Sequence, residues 1–223
     1  LKSGVHVSAA PTVDLAGHRK PGTPKNFTFC EMAFAEFIQR CAPEAFPDRP
    51  RHPPRIQAGE SLYLRSVAPG LDASRRPTHL KESFPGLAGD VTFPEGLIYD
   101  KEDYHTSVLR VSTGDTQLWT HYDVMHNVLI QVTGTKRVLL WPPSEAHNLY
   151  TEGSSSRVPD PLSPDLARFP RFADAAHSRL STTMRPGDAL FIPGLWFHHV
   201  SAESFSVAVN VFWKALPHNL YHP

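Results

Sequence analysis

Phe205-Ser206-Val207-Ala208-Val209-Asn210-Val211-Phe212-Trp213 alternates strictly in side-chain character. In an extended chain successive side chains point to opposite faces, so Phe205, Val207, Val209, Val211 and Trp213 share one face and Ser206, Ala208, Asn210 and Phe212 the other. The first face is apolar; the second is small or polar. Two readings fit the second face. Either it meets solvent, or it lines a barrel interior kept open by small residues, with Asn210 pointing inward.

Upstream, from residue 106 onward, short strand-like runs are punctuated by Gly and Pro, the pattern of an antiparallel sandwich or barrel. Residues 106–112 are the first strand. Residues 128–132 and 136–141 flank Thr133-Gly134-Thr135 and predict a β-hairpin, ended by Pro142-Pro143. Residues 149–174 form an insertion rich in Ser and Pro, with a helical turn expected at 165–169. Arg185-Pro186-Gly187-Asp188 predicts a turn before a strand at 189–193.

Further out, the first third is irregular. Met32, Phe34, Phe37 and Ile38 recur at helical spacing and predict one short amphipathic helix over 31–41. Pro47-Asp48-Arg49-Pro50-Arg51-His52-Pro53-Pro54-Arg55 lacks the backbone donors for a helix or central strand and reads as a basic loop. Residues 61–66 alternate as a strand, and 69–93 read as loop with Arg75 and Arg76 exposed. One domain is expected over 1–223, divided into a flanking part at 1–105 and a barrel core at 106–217. The chain begins at Leu1 and stops at Pro223 soon after a strand, which reads as a fragment of something longer.

The 223 residues are 40% hydrophobic and 20% charged, enough to build one substantial core and against intrinsic disorder. Lys+Arg and Asp+Glu are equal at 22 each, which excludes a polybasic binder; any nucleic acid would have to meet a local patch. No run approaches the roughly 20 apolar residues of a membrane span, and the start of the chain lacks a signal-peptide pattern. An intracellular protein, cytoplasmic or nuclear, with no membrane partner is expected. Cys30 and Cys41 are too few for a disulfide scaffold or a Cys-rich zinc site.

Thr120-His121-Tyr122-Asp123 places an imidazole and a carboxylate at i and i+2, on one face of an extended segment. Two ligands can then meet one metal, and a third is needed. Leu195-Trp196-Phe197-His198-His199-Val200 offers it, but adjacent residues point to opposite sides, so His198 and His199 cannot both serve, and parity does not choose between them. His126 could instead complete a local set with His121 and Asp123 in a tight loop. Two histidines and one carboxylate on a triangular face leave about three positions open on iron, which suits a chelating cosubstrate and dioxygen.

At these residues the sequence resembles the JmjC-type iron(II) and 2-oxoglutarate oxygenases of the cupin superfamily, and more narrowly the tRNA wybutosine hydroxylases. The densest blocks are Gln117 through Asp123, Asn127 through Gly134, Leu190-Phe191-Ile192-Pro193, Leu195 through His198 and Val209 through Lys214; looser similarity reaches back through Tyr63-Leu64-Arg65-Ser66. The resemblance implies a mainly β fold, a cupin-type double-stranded β-helix (jelly-roll) JmjC barrel with a few flanking helices. It makes His121, Asp123 and His198 the ligands of Fe(2+), because the family's distal histidine follows two aromatic residues. It makes Lys136 the partner of the distal carboxylate of 2-oxoglutarate, where a cation must neutralise a carboxylate removed from water. Without it, Lys136 reads as an exposed hairpin lysine. Asn127, Asn210 and Tyr63 match positions that hydrogen-bond the cosubstrate, and Arg110 a substrate-side arginine.

The implied reaction consumes dioxygen and hydroxylates the wybutosine-type guanosine beside the anticodon of tRNA(Phe), on its amino-carboxypropyl side chain. Arg49, Arg51, Arg55, Arg75 and Arg76 are candidates for RNA contact. The family's C-terminal helices make a homodimer, expected for a full-length protein. His126 stands where the close relatives carry an acidic residue. Two alternatives keep the barrel: a JmjC hydroxylase of protein side chains, and a binding module without turnover.

Overall fold

The structure is a computed structural model that describes residues 4–10, 28–45, 61–67, 77–87, 89–92, 104–214 and 216–217. Strands β1 (Gly4–Ala10) and β2 (Thr28–Ala33) precede helix α1 (Phe34–Cys41), β3 (Ser61–Arg65) and the single-turn α2 (Leu80–Ser83). There follow β4 (Tyr104–Ser112), β5 (Gln117–His121), β6 (His126–Thr133), β7 (Lys136–Trp141), the short β8 (Thr151–Glu152) and β9 (Ser155–Ser156), and α3 (Phe172–Ser178). β10 (Leu180–Met184), β11 (Ala189–Ile192), β12 (Phe197–Ala202) and β13 (Ser206–Trp213) complete the series.

The strands form two antiparallel sheets, ordered β11-β6-β13-β4-β3-β1-β2 and β10-β7-β12-β5-β9-β8. From β4 onward the chain passes back and forth between them. β4, β6, β11 and β13 lie in the first sheet and β5, β7, β10 and β12 in the second, which is the jelly-roll order.

Three cores follow from strand alternation. On the outer face of the first sheet, Leu62, Leu64, Leu109, Val111, Val209 and Val211 pack against Phe37 and Cys41 of α1 and Leu80 of α2. On the outer face of the second sheet, Leu139, Trp141 and Phe197 are covered by Leu149, Val158, Phe169, Phe172 and Ala175, so the Ser- and Pro-rich insertion acts as a lid over that sheet. Between the sheets, Leu129, Val138, Leu140, Met184, Ile192, Val200 and Ala208 fill the barrel. β13 therefore resolves the ambiguity of its polar face: Ala208 points into the barrel while Val209 and Val211 point away from it.

Three local expectations are corrected. The hairpin at Thr133-Gly134-Thr135 does not form: β6 pairs with β13 and β11, and β7 with β12 and β10. The turn is a corner between sheets. Gly134 has φ of 75°, a Cβ there would lie 1.9 Å from the Phe205 carbonyl oxygen, and Thr135 N–H donates to Ser204 Oγ at 3.0 Å. The turn is thus clamped to the loop before β13, and the chain cannot fold straight back. The helix over 31–41 begins only at Phe34, because Glu31, Met32 and Ala33 pair with His6, Val5 and Gly4. Within 69–93, expected to be loop, α2 and a 3-10 turn at Pro85–Leu87 are present. Among the described residues no helix is long and apolar enough to cross a membrane.

Candidate metal site in the barrel

β5 and β12 are neighbours, and His198 stands opposite His121 in their register. Side chains opposite on one face approach closely, and the two rings lie 4.3 Å apart between centroids. Asp123 follows two residues after His121, where β5 has ended. Leu195, at φ of 70°, donates its N–H to the Asp123 carbonyl at 2.7 Å, so a left-handed residue ties the approach to β12 to the carboxylate-bearing loop. One potential ligand atom from each of His121, Asp123 and His198 lies within 4.8 Å of the others, and His198 Nε2 is 3.6 Å from Asp123 Oδ2.

The backbone sets the tautomers. His121 Nδ1 donates to the Trp119 carbonyl at 2.8 Å and His198 Nδ1 to the Trp196 carbonyl at 3.1 Å. A carbonyl only accepts, so each Nδ1 carries the hydrogen and each Nε2 presents a lone pair. Burial, then the neighbouring His198, push His121 down to about 3 against the opposing pull of Asp123. Burial likewise lowers His198, with Asp123 opposing. Both rings are therefore neutral, the form that binds metal. Two neutral imidazoles and one carboxylate fit a divalent ion of the iron(II) kind, with coordination positions left over.

His199, one residue on, points through the opposite face of β12. It is 1% exposed, neither ring nitrogen has a hydrogen-bond partner, and burial pushes it down to about 4. The choice that the sequence left open thus falls on His198. His126 is not in the cluster: its Nδ1 accepts the Gly194 N–H at 3.0 Å, and its ring packs near Phe191 and Trp213. The local three-ligand arrangement is set aside.

The histidines open onto a cavity that Tyr63, Arg110, Ser112, Asn127, Lys136 and Asn210 also line. Lys136 is 5% exposed, which corrects its reading as a surface lysine; it opens β7, whose inward residues continue as Val138 and Leu140. Burial, then Arg110, push its ammonium down to about 7. Across four adjacent strands runs one hydrogen-bonded chain. Arg110 on β4 donates to Tyr63 Oη on β3 and to Asn210 Oδ1 on β13, and Asn210 Nδ2 donates to Asn127 Oδ1 on β6 at 2.7 Å. Ser112 Oγ is buried there without a partner, an orphaned hydroxyl that suits a polar ligand.

The structure gathers into one cavity or its rim the eight residues that the resemblance assigned to metal, cosubstrate or substrate: His121, Asp123, His198, Lys136, Asn127, Asn210, Tyr63 and Arg110. Ser112 and Thr116, which also line the cavity, were not among them, nor was Arg65, which stands opposite Arg110 and follows Tyr63 at the spacing that keeps it on the same face. Arg49, Arg51, Arg55, Arg75 and Arg76 lie outside the described residues.

Residues 2–219 match the family described as Cupin-like domain. The chain is 42% identical over 217 residues to tRNA wybutosine-synthesizing protein 5 of Mus musculus, covering 97% of this chain and 63% of that protein. Against the Danio rerio protein of the same name the identity is 44%, covering 97% of this chain and 61% of that one. With tRNA wybutosine-synthesizing protein 4 of Gibberella zeae it is 38% over 199 residues, or 86% of this chain and 17% of that much longer protein. The chain thus spans less than two thirds of the length of these relatives. Among solved structures, the Escherichia coli ribosomal oxygenase YcfD aligns with a TM-score of 0.48 at 14% identity, over 98% of this chain and 42% of that one. With its jelly-roll strand order and a family match that runs almost from end to end, the chain belongs to the Cupin-like domain family.

Proposed function

We propose that the chain is the catalytic domain of an iron(II)- and 2-oxoglutarate-dependent hydroxylase that acts on the wybutosine-type guanosine next to the anticodon of tRNA(Phe). The observation that carries the reading is the convergence of His121, Asp123 and His198 in a cavity that also encloses a lysine. The tRNA assignment draws its support from relatives named for wybutosine synthesis.

His121 Nε2, Asp123 and His198 Nε2 hold the metal, and the Trp119 and Trp196 carbonyls orient the two rings. With 2-oxoglutarate and dioxygen, the bound metal supplies the oxidising power that no side chain has. Lys136 pairs with the distal carboxylate of 2-oxoglutarate, a charge-assisted contact made strong by burial. Asn127, Asn210 and Tyr63 present polar groups to the cosubstrate, while Leu129, Ile192 and Val200 wall the cavity with apolar surface and keep water out. Arg110 faces the substrate side.

The test supplies iron(II), ascorbate and 2-oxoglutarate and measures succinate released with hypermodified tRNA(Phe), with unmodified tRNA and with peptides. Stimulation by the hypermodified tRNA alone is expected. Stimulation by peptide alone would transfer the chemistry to protein side chains, and succinate from none of them would leave a binding module.

A further inference from the structure

β3 and β4 set Arg65 directly opposite Arg110. Tyr63 lines the cavity, so Arg65, two residues along the same strand, takes the same face, and its side chain is exposed. The open side also carries Asp123, whose side chain is 37% exposed. Like charges directly opposite in an antiparallel pair are unfavourable. Burial and Arg110 both disfavour the charge on Arg65, with Tyr63 and Asp123 as the groups that oppose them. Among the described residues, neither guanidinium forms an ion pair with a carboxylate. Arg110 spends its contacts on the neutral groups of Tyr63 and Asn210, which fix its orientation without neutralising it.

Charge complementarity says what is missing. In the function proposed above, on which this inference rests, a divalent metal and the Lys136 ammonium together offset Asp123 and the two carboxylates of 2-oxoglutarate. The loaded centre is then neutral, and two arginines remain uncompensated: Arg110, which lines the cavity close enough to Lys136 to lower its basicity, and Arg65, opposite it on β3. We propose that Arg65 and Arg110 form an anion subsite on the β3–β4 side of the cavity that binds an oxyanion of the substrate, in addition to the carboxylate held by Lys136. Two guanidinium forks side by side suit a carboxylate or a phosphate, because both accept paired N–H donors. In a tRNA substrate the oxyanion is either the carboxylate of the amino-carboxypropyl chain or a backbone phosphate of the anticodon loop. The subsite thereby selects an acidic substrate and sets the depth to which it enters.

Binding, rather than turnover, tests this. The full-length protein, loaded with cobalt(II) and 2-oxoglutarate without oxygen, is titrated with anticodon stem-loops whose modified base carries either the free carboxylate or its methyl ester. Arg65→Ala is expected to weaken binding of the free-carboxylate loop about tenfold, the loss of one charge-assisted contact. The affinity for 2-oxoglutarate is expected to stay within about twofold of wild type, and Arg65→Lys to recover part of the loss. If only the free-carboxylate loop weakens, the side-chain carboxylate is the anion; if both loops weaken equally, it is a phosphate. Wild-type affinity of Arg65→Ala for both loops, or a matching loss of 2-oxoglutarate affinity, overturns the subsite. A wild-type protein that takes 2-oxoglutarate but neither loop sinks the tRNA reading, and the subsite with it.

Discussion

On the inner face of β12, His198 has Nδ1 tied to the Trp196 carbonyl and Nε2 turned toward His121 and Asp123. On the outer face, His199 stands opposite Leu139 under the 149–174 insertion with neither ring nitrogen hydrogen-bonded. Burial lowers the basicity of both imidazoles, so burial alone does not mark a site. What separates them is convergence. One lone pair meets two other ligands, while the other ring is buried with neither nitrogen hydrogen-bonded, and the charge of Asp160 only partly opposes the effect of burial. The inner face has been arranged for a ligand, while the outer face has been filled for packing, at a cost in unsatisfied polarity.

The contrast breaks most sharply at the ligands. His198→Ala and Asp123→Ala are each expected to lower succinate formation by about a thousandfold or more, because an open metal site with three protein ligands does not survive the loss of one. His199→Ala should retain turnover wherever the protein folds; equal losses at 198 and 199 would erase the difference between the faces. Next in size, Lys136→Ala is expected to raise the Kd for 2-oxoglutarate by ten- to a hundredfold, the worth of a buried charge-assisted pair. Titration calorimetry at fixed metal measures it, and an unchanged Kd would assign the cosubstrate carboxylate to another cation.

A pH series sharpens the same point. With Lys136 pushed down to about 7 by burial and Arg110, the free cavity loses its ammonium as pH rises through that value. The carboxylate needs the ammonium, so 2-oxoglutarate affinity should fall about tenfold per pH unit above 7, with one proton taken up on binding. Calorimetry at pH 8 in buffers of different ionisation heat reads that proton. No uptake would mean that the lysine is already charged.

The smallest effect is on the outer face. His199→Leu removes two unsatisfied buried nitrogens and is expected to stabilise the protein by about 1 kcal/mol, or about 2–4 °C in Tm. The sign with pH follows from the lowered value of about 4 against 6.5 for an ordinary histidine. The folded state binds fewer protons than the unfolded one between those values, so wild-type stability falls as pH drops through the window. The advantage of the leucine variant should widen there. A destabilised variant would point to a partner for His199.

Strict alternation along β13 showed which residues share a face but not whether the small, polar face meets solvent or a barrel interior, and the jelly-roll itself came from the resemblance. The same logic read His121 and Asp123 as a pair. It could not choose between His198 and His199, since parity gives two faces without saying which is inside; the resemblance chose, and the cavity lies on the side of His198. The missed hairpin had a different cause. Local signals around Gly134 announce a turn, but whether the chain returns in its own sheet or crosses to the other depends on Phe205 and Ser204, about seventy residues away. The hairpin alone would have exposed Lys136, which the resemblance placed beside the cosubstrate; a corner buries what a hairpin tip exposes. Arg65 escaped notice for want of a partner: its significance lies in standing across from Arg110, and register between β3 and β4 is not written in either strand alone.

The central claim is that His121, Asp123 and His198 hold a metal on which 2-oxoglutarate can chelate. Anaerobic titration with iron(II) and 2-oxoglutarate tests it directly, read by the visible charge-transfer absorption of an iron(II)–keto-acid chelate. Wild type and His199→Ala should develop the band, and His198→Ala should not. A band that persists in His198→Ala, or that disappears only in His199→Ala, would contradict the account.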